Sequence, residues 1–182
     1  LVSRTIKPTA RLLFLLSLGG IALCEPRTSG EVFDAWVGKI EQLVVPAAEA
    51  MPEPRYFFVP STGEFKGART FAEQVKHLSA ANYQLAAATL GETPPSGTRD
   101  ETAPESVRTR AEILAYLKGS FALLHRAASA LRDDTINELV AINGNRHTRF
   151  YLLIDALTHS SNHYGQMVEY LRMNDIVPPA SR

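Results

Sequence analysis

Cysteine is nearly absent: Cys24 is the only one in 182 residues. A single cysteine excludes a disulfide framework and any cysteine-rich metal cluster. Surplus charge is also missing, with 19 basic and 19 acidic residues and no net charge. Nucleic-acid binding needs a basic excess on one face, so no nucleic-acid partner is expected. Internal repeats and low-complexity tracts are lacking. So is any alternation of apolar and polar residues long enough to propose a sheet. What remains is ordinary for one globular domain: 45% hydrophobic and 21% charged residues, in a chain long enough for a real core.

The first 24 residues are of a different kind. Arg4, Lys7 and Arg11 form a positive start, and Leu12 to Leu23 is an apolar run of 12 residues. That is short for a membrane span and suited to the core of a signal peptide. Small Ala22 and Cys24 sit at the −3 and −1 positions for cleavage after Cys24. The expectation is a signal peptide over 1–24 and an exported domain over 25–182, with no stable membrane span after cleavage. The alternatives are a retained anchor and a lipid-modified Cys24. Leu23 is bulkier than lipoprotein signals usually carry. Once Cys24 leaves, any metal must be held by histidine and carboxylate alone.

The remaining chain reads as four helices. The first runs from about Gly30 to Met51, with Phe33, Trp36, Val37, Ile40, Leu43 and Val44 in one stripe. Pro46 lies inside it, and Pro52 and Pro54 end it. Pro60, Gly63 and Gly67 mark a loop. Thr70-Phe71-Ala72-Glu73 is a capping box that opens a second helix reaching about Leu90. Its stripe is Phe71, Val75, Leu78, Asn82 and Leu85. Thr109-Arg110-Ala111-Glu112 is another capping box, opening a third helix to about Leu131. Asn143-Gly144-Asn145 signals a turn. Thr148 caps a fourth helix over Arg149 to Met173, which Asn174 ends as a left-handed terminator before Pro178-Pro179. The fold class is all-α, a single four-helix bundle.

The fourth helix carries the chemistry. Phe150, Ile154, Leu157, Ser161, Tyr164 and Val168 form one stripe, and His159 and His163 fall on the opposite side with Leu152, Ala156 and Tyr170. A helix apolar on both sides is expected to be buried on both, with the histidines indoors. Residues four apart stand one above the other, so two imidazoles can reach one ion. A packed pair bonded to backbone or tyrosine is the plainer alternative. His77 sits on a shoulder of the second helix with Gln74 and small Ala81, which leaves room for an ion. A half-exposed surface histidine is the alternative there. His125 lies on the stripe of the third helix, more consistent with a satisfied core histidine than with a pocket wall. His147 stands between Arg146 and Arg149 and receives no role. Trp36 and Tyr83 read as packing residues.

Two stretches, FAEQVKHLSAANY and DALTHSSNHYGQMVEYLRMNDIVPPAS, together resemble the DinB/YfiT-like metalloenzyme family. A histidine in helix two followed by H-x-x-x-H in helix four carries the resemblance, which covers about Gly30 to Ser181. It implies that His77, His159 and His163 bind one divalent metal with an open position for water or substrate. Zinc is the first choice, with nickel or another transition metal as alternatives. Three neutral nitrogens and an open position have the form of a catalytic site. The implied activity is that of a hydrolase or a thiol-type S-transferase of unknown substrate. Export argues against the thiol chemistry, because such thiols are mainly cytoplasmic. A non-catalytic metal- or small-molecule-binding bundle is the alternative, and a purely structural bundle the third reading. Asp155, one turn before His159, and Gln166 are candidates to orient a ligand or polarise a water. The resemblance also implies a homodimer.

Overall fold

The computed structural model describes residues 27–98 and 102–182. The expectation of a leader over 1–24 lies outside the described residues. Four helices are present: α1 (Ser29–Ala50), α2 (Phe71–Leu90), α3 (Arg110–Ser129) and α4 (Arg149–Met173). Among the described residues, no helix is long and apolar enough to cross a membrane.

The helix starts are set by local hydrogen bonds. Thr70 accepts from the amide of Glu73 while Glu73 accepts from the amide of Thr70, and Thr109 with Glu112 does the same. A third capping box, Thr28 with Glu31, starts α1 at Ser29, one residue before the expected Gly30. Each box satisfies two amides that the first turn leaves without a helical partner. Thr148 caps α4 by accepting from the amide of Tyr151. Pro46 does not end α1, which runs on to Ala50.

α2 is the central element. Sixteen of its residues are buried, including the polar Gln74, His77, Ser79, Asn82 and Gln84. It packs on α3 and α4, and α1 packs on the same pair from the other side. The core runs through Val37, Val44, Leu78, Leu117, Phe121, Leu124 and Leu153. Asn82 is fully buried, and its side-chain oxygen accepts from Ser160 at 3.1 Å. That bond fixes α2 against α4 beside the histidines.

Three expectations need correction. The first concerns the absence of a sheet. Leu139–Ile142 (β1) and Asn145–Thr148 (β2) form an antiparallel hairpin, with Leu139 opposite Thr148 and Ile142 opposite Asn145. Its turn residues Asn143 and Gly144 both have positive φ, 49° and 79°. Asn-Gly favours that primed turn, whose twist suits short strands, so the turn rather than apolar alternation makes this hairpin. The second concerns the C-terminus of α4. Asn174 is not left-handed (φ −106°); Asp175 takes that conformation at φ 61°. Asn174 is buried, donates to the carbonyl of Tyr170 and accepts from Arg55. The third concerns α4 itself, which is not buried on both sides. The histidine side is the core face, with Leu152, Leu153, Ala156, Ser160, His163 and Met167 buried. Phe150 and Ile154 are exposed, because a corner helix of a bundle has one face without a neighbour.

His125 is satisfied but is not a core residue. It is half-exposed and lies between two α1 carboxylates, with Nδ1 2.6 Å from Asp34 and Nε2 3.2 Å from Glu41. Gly38, one turn from each, leaves the ring its place: a Cβ there would lie 3.6 Å from the imidazole. Burial lowers the pKa of His125, but the hydrogen bonds it donates to Asp34 and Glu41 and the charges of those carboxylates outweigh it, and the net shift is upward. The two ion pairs are therefore fully formed below the free-histidine pKa of about 6.5 and are lost as pH rises through the raised folded value. His125→Gln should lower the thermal midpoint at about pH 5.5 by an amount equivalent to about 1 kcal/mol, the ordinary value of half-exposed pairs, and by less at about pH 9. Equal losses at the two pH values would show that the ring is not charged between these carboxylates.

Candidate metal centre

His77 comes from the middle of α2, and His159 and His163 from consecutive turns of α4. Their side chains converge. Nε2 of His159 lies 3.2 Å from Nε2 of His77 and 3.2 Å from Nε2 of His163. The three ligand atoms all lie within 4.8 Å of one another. Nitrogens bound to one ion at about 2.0–2.1 Å and tetrahedral angles stand roughly 3.3 Å apart, so the spacing matches a shared divalent metal. Neutral ring nitrogens this close need either a shared proton or a common electrophile. His77 and His163 are buried and His159 is half-buried.

Electrostatics favour the neutral, ligating form. The pKa of His163 is pushed down to about 3, first by burial and then by the charges of His159, His77 and Arg69. A buried cationic triad would repel itself, whereas neutral imidazoles offer lone pairs.

Gln74 decides which nitrogen of His163 is available. Its side-chain oxygen is 2.7 Å from Nδ1 of His163, and its amide nitrogen donates to Gln166 at 2.8 Å. Gln166 in turn donates to Asn162 at 3.1 Å. With the Gln74 oxygen facing the ring, Nδ1 carries the proton and Nε2 presents its lone pair to the triad. Sequence reasoning put Gln74 on the shoulder beside His77 but gave it no role. Its position, one turn before His77 on the same face, is the signal that could have found it. Gln166 acts one step further out, through Gln74 rather than on a histidine.

Two pockets open beside the triad. The first, about 180 Å³, is lined by His159, Asp155, Tyr151, His147, Asn143 and Gln84, among others. Asp155 is thus a wall residue next to His159. The hairpin contributes its turn to this wall: Asn143 donates to Gln84 at 3.1 Å, and the His147 ring stacks on Tyr151 at 4.5 Å. His147, given no role from the sequence, is brought here because β2 leads directly into α4. The second pocket, about 400 Å³, opens at His77 and is lined by Gly67, Ala68, Arg69, Glu73, Lys76 and Thr102. His125 lines neither of them. Ala81 is buried one turn from His77 and lines the first pocket, as its small size suggested.

Comparison with known proteins agrees with this architecture. A crystal structure of a DinB-like protein from Bacillus cereus ATCC 10987 superimposes with a TM-score of 0.64 over 82% of this chain and 95% of that one. The two sequences are 15% identical, so the likeness establishes the fold. No curated protein matches the chain. The family model for the DinB superfamily matches residues 39–167, a span that holds α2, α3, the hairpin and all three histidines. The chain belongs to the DinB superfamily.

Proposed function

We propose that the chain is a metal-dependent protein in which Nε2 atoms of His77, His159 and His163 hold one divalent ion, zinc before nickel or another transition metal. The observation that carries this reading is the 3.2 Å spacing of the ring nitrogens, together with the tautomer that Gln74 sets on His163. The donor set fits the group: three neutral nitrogens, no thiolate, and room beside them for a fourth partner. Bound there, the metal supplies Lewis acidity that acidifies a water or thiol brought against it.

The chain's own residues do the rest. Gln74 holds the His163 ring in place, with Gln166 and Asn162 behind it. The Asn82–Ser160 bond keeps α2 and α4 in register, which keeps His77 opposite its two partners. Asp155 and His147 stand on the wall beside His159, within the pocket where a substrate would meet the ion. They are the groups available there to take up or deliver a proton, which suits hydrolysis or S-transfer. A non-catalytic metal-binding role uses the same ligands. Chelator-sensitive turnover of an ester, an amide or a thiol acceptor, restored by returning the metal, would decide for the enzyme.

The reading includes export, supported by the basic and apolar pattern of residues 1–24, and a homodimer. Support for the dimer is an unpartnered apolar strip along α1 and α4, where Val32, Trp36, Phe150 and Ile154 are each at least 40% exposed. Strips of this kind on a soluble domain commonly mark contact surfaces.

Reconstituted protein should bind one zinc per chain, measured by elemental analysis after removal of free metal. His159→Ala should abolish stoichiometric binding; retention of the ion by that variant would refute the ligand assignment. Gln74→Leu should keep the fold and weaken zinc binding by about 10–100-fold in competition with a chromophoric chelator. Unchanged affinity in that variant would show that the His163 tautomer does not depend on Gln74. Ile154→Asp should shift the chain toward monomer in light scattering, and an unshifted mass would remove the strip from any interface.

A further inference from the structure

Polar contacts tie α1 to α3 and the turn after it at three levels. Near the start of α1, the Ser29 amide donates to Asp133, just beyond α3, at 3.0 Å. At its end, Arg110 donates to the carbonyls of Glu49 and Met51, and Lys118 pairs with the Glu49 carboxylate at 2.7 Å. Between these stands His125, with Asp34 on Nδ1 at 2.6 Å and Glu41 on Nε2 at 3.2 Å. Arginine, lysine and carboxylate groups keep their charges through the neutral range. Of the three ties, the middle one is built on a group that titrates there.

The geometry of the middle tie demands a charged ring. Ionised carboxylates only accept hydrogen bonds, so two of them need an N–H on each ring nitrogen. The imidazolium has both. A neutral imidazole has one N–H and one lone pair, and that lone pair faces a carboxylate oxygen. Asp34 and Glu41 are two turns apart on one side of α1, roughly 10 Å along its axis, so each reaches its own end of the ring. Burial opposes protonation of the ring, but these two carboxylates outweigh it and its pKa is raised. Among the described residues, α2, α4 and the rest of α3 add no charge that acts on it. The cations of α3 on either side of it are engaged elsewhere, Arg126 with Glu92 and Lys118 with Glu49.

The two arms of this tie are unequal. Asp34 holds Nδ1 at the shorter distance and has one rotatable bond fewer than Glu41. A ring that gives one proton to water therefore keeps the other on Nδ1, and its Nε2 lone pair turns against Glu41. Glu41 is half-buried, so its longer side chain can swing into solvent. We propose that His125 is a proton-operated staple between α1 and α3: charged, it holds both carboxylates; neutral, it keeps Asp34 and releases Glu41, which slackens the middle turns of α1. The ties at the two ends keep α1 in the bundle. The slackened stretch includes Val37 and Ile40, buried in the core, and Trp36, exposed in the strip with Phe150 and Ile154. Any effect on association rests on the reading of that strip as a contact surface; the staple itself does not.

The test uses the full chain on either side of the histidine range, at about pH 5.5 and about pH 9. The readouts are nitrogen NMR of the His125 ring and hydrogen exchange of backbone amides, corrected for the intrinsic pH dependence of exchange. At the higher pH the neutral ring should carry its proton on Nδ1. Protection of the Val37 to Glu41 amides should fall about threefold more than that of the α2 amides. Glu41→Gln keeps the arm but removes the switch, because its amide can donate to a neutral Nε2; its α1 protection should track α2 at both pH values. Asp34→Asn should move the neutral ring's proton to Nε2, where Glu41 accepts it. A wild-type neutral ring protonated on Nε2, equal loss of protection in α1 and α2, or a Glu41→Gln variant with the wild-type response would each overturn the proposal. Ile154→Asp should leave the α1 response intact whether or not it changes the mass of the particle, so the strip and the staple fail separately; a response lost in that variant would count against the staple.

Discussion

One hydrogen bond sets the chemical state of the bundle's centre. Gln74 presents its oxygen to Nδ1 of His163, so the ring keeps its proton on the far side and turns a lone pair inward. A carboxylate in that place would stabilise the imidazolium and hold a positive charge in the core. A neutral amide does not. Burial then reinforces the choice, because a charged imidazole on the buried face of α4, beside the other two histidines, loses its hydration without gaining an anion. The electron-rich centre that a metal requires is thus built from neutral groups alone.

The surrounding framework holds the three rings in place. His159 and His163 share one helix and need no tertiary help to stand one above the other. His77 does need it, because α2 must neither slide nor rotate against α4. Asn82 and Ser160 provide that lock with a buried polar pair, and the apolar layers around Leu78 and Leu153 fill the space on either side. The hairpin closes one flank of the site by carrying His147 onto Tyr151 and Asn143 onto Gln84.

Much of this was legible in the chain. The four helices followed from apolar spacing and two of the three capping boxes from Thr-x-x-Glu; the inward direction of His159 and His163 was expected from an α4 apolar on both sides, of which only the histidine side is the core face. What escaped was decided by contacts between distant segments. Nothing local distinguishes Gln74 from a surface glutamine until α4 is laid against it. Phe150 and Ile154 look like core residues in a helical pattern, and their exposure follows from which side of α4 lacks a neighbour. The hairpin was hidden because its strands are only four residues long and depend on the Asn143-Gly144 turn. His77 is the intermediate case: its sequence position suggests only a half-exposed residue, and family resemblance rather than spacing brought it into the site. His125 was expected in the core because Leu117, Phe121 and Leu124 precede it, yet Asp34 and Glu41 hold it at the rim.

The three threonine–glutamate boxes have a consequence for how this scaffold can change. Each writes the starting register of a helix into four consecutive residues, so the orientation of that helix's side chains does not depend on the segment before it. Side chains in the connections leading into Thr70 and Thr109 can therefore be exchanged without rotating the core. Arg69 sits on the variable side of such a boundary and His77 on the fixed side. A lineage built on this plan can rewrite what approaches its histidines while leaving the histidines where they are.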